Sequence, residues 1–335
     1  MGDAVWDDRA PHRSHPPATP RGLQETLITG AAELGLLNRM AGYWANAWIG
    51  PDGIEIFLPT PAGAQFFTVQ DGQVTPHGPR IPYPGEGEGW SWDREGWILL
   101  CDGPHLRRCH PTAHPAGDLI FTLPARFPDS RLWQPHASED GRLYTATVQH
   151  RETGVKLGTI VMERSGDYEF FQNQGNLDES LLTTDGAYLI LLEGDDNRII
   201  TVATGWRRLL TQQQGAVAHA VCGASLLVGE DDEHGACVSY DLTQPDLPAA
   251  RRALFSTWGM GHLSLRAGRL LLSDATHLSW VDLTTGARTP ILAHGMISDG
   301  TYDTQVQASL DPTGAVAIYC SNKSGRLEAY CLELP

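Results

Sequence analysis

The chain has 335 residues, of which 41% are hydrophobic and 19% charged, with 36 glycines and 22 prolines. This is the composition of a folded chain rich in turns, and it is not that of a disordered one. A formal net charge of −16 repels phosphate backbones and anionic lipid surfaces, so we expect no nucleic acid and no membrane among the partners. No apolar run approaches the ~18–20 residues that a helix needs to span a bilayer.

The N-terminal segment, residues 1–21, is polar and rich in proline and histidine. Because it lacks the apolar core of a secretory signal peptide, we interpret it as a disordered leader and expect a cytoplasmic protein. Residues 22–335 form the predicted folded domain. Its first element, residues 23–28, is predicted to be a short strand.

Seven short turns, each between two apolar β-rich runs, recur along the chain at intervals of about 37 to 46 residues, with a mean of about 43.5. The glycines that end these turns are Gly53, Gly96, Gly141, Gly186, Gly223, Gly268 and Gly314. Such a period is the spacing of four-stranded propeller blades. The sequence therefore predicts an all-β fold, a seven-bladed β-propeller.

The last repeat shows only two clear strands after Gly314, residues 315–320 and 326–334. We expect the strand of residues 23–28 to supply its outer strand and so to close the ring, because an open ring would leave exposed strand edges.

Six cysteines fall in pairs within three predicted hairpins, but the hairpin registers keep the members of a pair out of reach of each other. None has the spacing of a zinc site. We expect six reduced and mostly buried thiols, as in a reducing compartment.

Residues five to nine positions before each turn glycine are expected to line one mouth of the channel. The polar and aromatic residues there are Asn46, Trp90, Gln134, His136, Asp178, His262, Gln305 and Gln307. His219 lies four positions before its shortened turn, and Trp44 and Trp258 lie on the same side of their blades. Neutral imidazoles near one axis suit a divalent metal or an acid/base pair. The aromatic faces suit sugar rings and protein side chains equally.

The stretch from Asp303 to Gly325, which contains Gln305-Val-Gln307 and the turn at Gly314, resembles the last blade of TolB-like and oligogalacturonide-lyase-like propellers. In those lyases a His-x-His pair stands where this chain has the two glutamines. Gly261-His262 resembles the preceding blade, in which another histidine binds the metal. The resemblance covers about the last 120 residues.

The resemblance implies a site for a divalent metal, such as manganese or calcium, at His262, Gln305 and Gln307, with Tyr302 near a further ligand position. It also implies that His219 is the base, and Arg198 is a candidate partner for a substrate carboxylate. Glutamine carbonyl oxygens are weaker ligands than imidazole for transition metals, so two of the three metal ligands depart from the family pattern.

Two functions remain open at this point. The first is a non-catalytic or diverged propeller that acts as a binding or interaction module, for example as a subunit of a larger assembly, with an acidic oligosaccharide or a protein as partner. The alternative is a metal-assisted polysaccharide lyase that abstracts the proton α to a uronate carboxylate. The glutamine substitutions favour the first.

Overall fold

The structure is a computed structural model, and it describes residues 23–28, 47–60, 63–81, 90–93, 95–110, 114–257, 261–298, 305–324 and 327–335. Within these ranges the chain consists of strands and turns, with two short 3₁₀ turns at Gln212–Gln214 and Pro248–Ala250 and no α-helix. No helix in these ranges could therefore cross a membrane. The predicted leader, residues 1–21, lies outside the described residues.

The strands form seven separate antiparallel sheets of four strands each. Their contacts divide the chain into two compact units, one of Met1–Tyr83 with Gly259–Pro335 and the other of Pro84–Trp258. The number of sheets and the number of strands in each confirm the predicted blades.

The first unit holds three blades. In sheet order their strands are β2 (Ala47–Gly50), β3 (Gly53–Thr60), β4 (Gly63–Gln70) and β5 (Gln73–Ile81); β22 (His262–Arg266), β23 (Arg269–Ser273), β24 (His277–Val281) and β25 (Arg288–Ala293); and β26 (Ser309–Leu310), β27 (Val316–Ser321), β28 (Glu328–Glu333) and β1 (Gln24–Leu27).

The second unit holds four blades. Their strands are β6 (Trp90–Trp92), β7 (Ile98–Asp102), β8 (His105–His110) and β9 (His114–Thr122); β10 (Ser130–Ala137), β11 (Leu143–His150), β12 (Lys156–Glu163) and β13 (Tyr168–Gln172); β14 (Leu177–Leu182), β15 (Tyr188–Glu193), β16 (Asp196–Thr201) and β17 (Trp206–Leu210); and β18 (Ala218–Gly223), β19 (Leu226–Asp231), β20 (Ala236–Asp241) and β21 (Arg251–Ser256).

The last blade takes its outer strand from the N-terminal part of the chain, as expected. Strand β1 pairs antiparallel with β28, with Gln24 opposite Glu333 and Leu27 opposite Tyr330. The predicted contribution of this strand is therefore confirmed, and closure of the ring stays a prediction.

Side chains also hold β1 in place. The ammonium of Lys323 donates to both carboxylate oxygens of Glu25 at 2.7 Å, and the hydroxyl of Tyr319 donates to the same carboxylate. Lys323 also donates to the Tyr319 hydroxyl at 2.9 Å. Glu25 thus joins the N-terminal strand to two groups of the C-terminal part of the chain.

The turn between the first and second strands of a blade is capped by a short side chain. The Thr183 hydroxyl accepts the N–H of Tyr188 at 2.9 Å and donates to the carboxylate of Asp185 at 2.6 Å. Gly186 follows with φ of +72°, a conformation that glycine adopts without strain. Ser138 makes the same contacts in the preceding blade.

The turn of the blade that begins with β18 differs from the prediction. Gly223 is the last residue of the strand, and Ser225 takes the left-handed conformation with φ of +51°. Serine reaches that conformation at a small cost, and its hydroxyl donates to the Asp185 carboxylate at 2.7 Å. The turn in this blade therefore lies two residues later than Gly223 predicted.

All six cysteines are free and buried, which confirms the predicted thiols. Cys320 lies opposite Ala329 and Cys331 lies opposite Ile318, so the two do not face each other. Burial raises the pKa of Cys320 to about 12, which keeps this thiol protonated and unreactive at neutral pH.

We predict that Glu25→Ala loosens β1, because it leaves the hydroxyl of Tyr319 and the ammonium of Lys323 without their shared acceptor. Lys323 and Glu25 are partly exposed, and Lys323 still donates to the buried Tyr319 hydroxyl, so the loss in unfolding free energy is limited to about 1 kcal/mol. Amide hydrogen exchange should become faster in β1 while the core of the second unit is unaffected. Glu152→Ala, at an exposed turn, is the control, and equal exchange of β1 in both variants would contradict the prediction.

Candidate functional site

Several predicted channel residues lie outside the described residues: Trp44, Asn46, Trp258 and Tyr302. Trp90 begins strand β6, and only its backbone is described. Their expected roles stay predictions.

Three blades of the second unit share a β-bulge in their first strand. The register shifts between Trp133 and His136 in β10, between Leu177 and Glu179 in β14, and between Ala218 and Val221 in β18. Each bulge includes one polar residue of the predicted series: Gln134, Asp178 or His219. The structure therefore places these three residues at equivalent first-strand bulges of their blades.

Two of these bulges hold a non-glycine residue in the left-handed region, with φ of +49° at Gln134 and +43° at His219. Bulges re-aim a side chain, and such backbone conformations cluster at functional sites. Gln134 and its neighbour His136 are buried in β10, whereas His219 is exposed. Of the three bulge residues, His219 and Asp178 are therefore the ones that a ligand can reach from solvent.

A glycine that the sequence analysis did not single out permits the bulge at His219. A Cβ atom on Gly229 would lie 2.8 Å from the Cβ of Val217 and 2.9 Å from the carbonyl oxygen of Ala218. Only glycine therefore fits opposite the bulge. The sequence signal was present, since an isolated glycine inside a strand often marks a bulge.

The exposed His219 imidazole lies beside carboxylates. Its Nδ1 is 3.2 Å from a carboxylate oxygen of Glu230, and its side chain is 53% exposed. The hydrogen bond to Glu230 raises the pKa of His219, and the charges of Glu230, Glu179 and Asp178 raise it further, against the opposite effect of burial. The protonated, cationic form of His219 is therefore favoured.

The same surface carries a further acidic side chain, Asp232. Burial raises the pKa of Asp232, and the neighbouring carboxylate of Glu230 adds to the increase, while His219 opposes it. Carboxylates that lie close together create a negative potential. This surface therefore attracts cations and repels anions.

Arg198 lies in β16, the third strand of its blade, and is buried there. Its Nη2 atom donates to the carboxylate of Glu193 at 2.6 Å and to the carbonyl oxygen of Gln172 at 2.7 Å. The two side chains of the ion pair are 4% and 6% exposed. A partner for a substrate carboxylate must reach the ligand, and this guanidinium is instead committed to holding the blade.

In the first unit, His262 and Gln307 both lie close to Ser273 along the chain or across the sheet. His262 is buried and pairs with Ser273 across β22 and β23. The hydroxyl of Ser273 accepts the N–H of Ala308 at 3.1 Å. Ala308 directly follows Gln307, which is buried. Gln305 is exposed. The Nε2 atom of Gln307 is buried and has no hydrogen-bond partner among the described residues.

The residues proposed for a metal do not fit manganese or calcium. His262, Gln305 and Gln307 offer one imidazole and two neutral amides, without the carboxylates that calcium prefers or the imidazole set that suits a transition metal. Elsewhere in the described ranges, no group of three or more His, Cys, Asp and Glu side chains is arranged to hold a metal ion.

We predict that Arg198→Met lowers the free energy of unfolding by about 3–5 kcal/mol, because it leaves the Glu193 carboxylate buried without its cation. The double variant Arg198→Met/Glu193→Leu removes both charges and should recover most of the loss. Urea unfolding measures the free energy of unfolding of both variants, and Arg164→Met, at an exposed position, is the control. If Arg198→Met unfolds like the unchanged protein, the structural role of the ion pair is refuted.

We predict that His219 titrates above the ordinary histidine value of about 6.5 and that Glu230→Gln lowers its pKa. The raised pKa means that protonated His219 stabilises the fold. That contribution is complete below the unfolded-state pKa and is lost as pH rises through the folded-state pKa. NMR titration of the imidazole carbons measures the shift, with His219→Asn for assignment. Glu233 lies in the turn that follows β19, and Glu233→Gln should leave the titration of His219 nearly unchanged. Equal effects of Glu233→Gln and Glu230→Gln would contradict the assignment.

Comparison with family models finds no match, and no curated protein is similar in sequence. Solved structures are similar in fold. A manganese-bound oligogalacturonate lyase is 14% identical with a TM-score of 0.65, over 95% of this chain and 97% of that one. The oligogalacturonate lyase of Vibrio parahaemolyticus is 11% identical with a TM-score of 0.63, over 94% and 97%.

The WD40 domain of Neurospora crassa Pan2 is similar to nearly the same degree, at 10% identity and a TM-score of 0.61 over 95% of this chain and 97% of that one. Structural neighbours that include both lyases and a WD40 domain share a fold without sharing a function. The comparisons confirm the resemblance to oligogalacturonide-lyase-like propellers at the level of fold, and the fold of this chain is that of a seven-bladed β-propeller.

Proposed function

We propose that the protein is a non-catalytic propeller that acts as an interaction module, and that the surface around His219 binds cationic groups of a protein partner. One observation carries the proposal. The imidazole at the β18 bulge is hydrogen-bonded to Glu230 and lies in the field of further carboxylates. Its surroundings are those of a cation-binding surface.

The same surroundings argue against a lyase. A general base must be neutral to accept a proton, whereas the pKa of His219 is raised by its carboxylate neighbours. An oligouronide is itself anionic and would be repelled by Glu230 and Asp178. Arg198, which could have offset that repulsion, is buried in an ion pair with Glu193.

A basic side chain, in contrast, would gain from this surface. An ammonium or guanidinium group near Glu230 forms a charge-assisted hydrogen bond, which is stronger than a neutral one. The carboxylate of Glu230 is 21% exposed and Asp178 is exposed, so both can be reached from solvent. The strands that carry them hold the charges in fixed positions, so little conformational entropy is lost on binding. We therefore favour a lysine- or arginine-containing protein segment over an acidic oligosaccharide.

The test is the binding of a fluorescein-labelled octalysine peptide by anisotropy. We predict that the double variant Glu230→Gln/Glu179→Gln weakens binding about three- to tenfold, because it removes two charges next to His219. The control Glu152→Gln/Asp129→Asn removes the same net charge from exposed sites and should have less than a twofold effect. Equal effects of the two double variants would reduce the binding to general electrostatics and refute the assigned surface.

The catalytic alternative is tested with the same protein preparation. Polygalacturonate and its short oligomers are incubated with and without manganese, and the ultraviolet absorbance of unsaturated uronate is followed. We expect no increase above a protein-free control. An increase that His219→Asn abolishes would overturn the non-catalytic proposal.

A further inference from the structure

The outer strand of the blade that begins with β14 has an unpaired edge. In the sheet order β14, β15, β16, β17, one edge of β17 pairs with β16 without a register shift. Its other edge pairs with no strand among the described residues. The free N–H and C=O groups of such an edge can pair with another extended chain.

The other six outer strands each have a feature that hinders added strands. Prolines interrupt β5, β9 and β25, a register shift distorts β21, and β1 and β13 each carry a glutamate. The residues concerned are Pro76, Pro79, Pro115, Pro290, Leu254, Glu25 and Glu169. Strand β17, with the sequence Trp206-Arg207-Arg208-Leu209-Leu210, has no proline and no register shift, and its only charged residues are two arginines. Among the outer strands it is therefore the edge that best suits an acidic partner strand.

Strand β17 also exposes apolar side chains. Trp206 and Leu209 are each 55% exposed, which is unusual for large apolar residues. The guanidinium of Arg208 lies 5.2 Å from the centre of the Trp206 ring. Arg208 is itself fixed, since it donates to the carbonyl oxygens of Leu242 and Gln244 at 2.7 Å. The aromatic surface is therefore held in position before a ligand arrives.

Arg207 adds a positive charge to the exposed surface of β17. It is exposed, and none of the described residues forms an ion pair with it. Because side chains alternate along a strand, Arg207 and Leu209 share one face of β17. In a partner strand that alternates acidic and apolar side chains, one face would place acidic groups beside Arg207, and the other face would place apolar groups beside Trp206.

A second copy of the chain fits this edge poorly. Antiparallel pairing of β17 with itself over its full length would place Arg208 opposite the Arg208 of the second copy, and like charges opposite each other on neighbouring strands are destabilising. The overall charge of −16 opposes an acidic partner only weakly at contact, because physiological salt screens charges beyond about 8 Å. The positive charge of Arg207 therefore determines that an acidic partner strand is preferred.

We propose that the free edge of β17 is a second interaction site, which binds an extended acidic protein segment as a fifth strand of the blade. This mode of recognition takes its affinity from backbone hydrogen bonds and its specificity from alternate side chains. The site goes beyond the proposed function, since it involves another strand and a partner of opposite charge.

The probe is a nine-residue, end-blocked, fluorescein-labelled peptide in which aspartate and isoleucine alternate. Three control peptides separate the contributions: lysine in place of aspartate, the same composition in two blocks, and proline at the central position. We expect binding only of the alternating acidic peptide, with Arg207→Glu weakening it at least fivefold. Arg252→Glu, which reverses an exposed charge on the bulged strand β21, should change it less than twofold.

Amide hydrogen exchange provides the second readout. Bound peptide should slow exchange in β17 and leave β13 and β21 unchanged, which a purely electrostatic contact would not do. Equal binding of the block or proline peptide, equal loss in both arginine variants, or no protection of β17 would overturn the proposal. Concentration-dependent dimerisation that Arg207→Glu alters would also overturn it, because the occupant would then be a second copy. Because these variants leave Glu230 unchanged, failure here is distinguishable from failure at the His219 surface.

Discussion

The fold depends on one constraint: the middle strands of each blade are apolar on both faces and must be covered on both. Strand β15 shows this clearly. Ile190 and Leu192 pack into one hydrophobic cluster, which includes Leu227 of the following blade. Leu189 and Leu191 alternate with them and pack into another cluster, which includes Phe171 of the preceding blade. Each fully buried side chain contributes roughly 1.5–3 kcal/mol, so a blade is stable only between two neighbours.

This constraint leaves variation to the first and the outer strands. The first strand can accept a bulge, as in β10, β14 and β18, because the second strand maintains the sheet. The outer strand has one edge without a partner strand. The features that we associate with binding lie at these two positions, His219 at a first-strand bulge and Trp206 and Arg207 on an outer strand. Because apolar middle strands lie between the first and the outer strand of every blade, surfaces at these two positions can differ in charge.

The blade repeat was predictable because it appears in the sequence as a spacing of turn residues between apolar runs. The N-terminal origin of the last outer strand followed from counting strands. The bulge at His219 left a signal in the isolated Gly229 of the facing strand. The other two bulges were not predictable, since one extra residue only breaks the alternation of side chains over a few positions, and short strands show alternation weakly. Gly223 was misplaced as a turn residue because serine at position 225 takes the left-handed conformation that glycine usually adopts.

The chemistry of the candidate site was less predictable than the fold that carries it. The structure places His219 at a first-strand bulge, and its properties depend on Glu230, which is eleven residues away and faces it across the hairpin. Arg198 was misjudged for the same reason, since its partner Glu193 lies on the neighbouring strand. A residue's position in a repeat indicates where its backbone lies, whereas the partners that set its charge come from adjacent strands.

The magnitude of these charge interactions explains why one imidazole suits cation binding and not uronate chemistry. At about 4 Å, two like charges cost about 1 kcal/mol in water and about 4 kcal/mol at the effective dielectric of a protein surface. The binding of a uronate carboxylate near Glu230 would be destabilised by about this amount, and the other acidic groups would add to the repulsion. A bound divalent cation could offset such a cost, but His262, Gln305 and Gln307 provide no negative ligand to hold one. A lysine or arginine side chain gains from the same charges, so the acidic neighbours of His219, more than the imidazole itself, determine what this surface can bind.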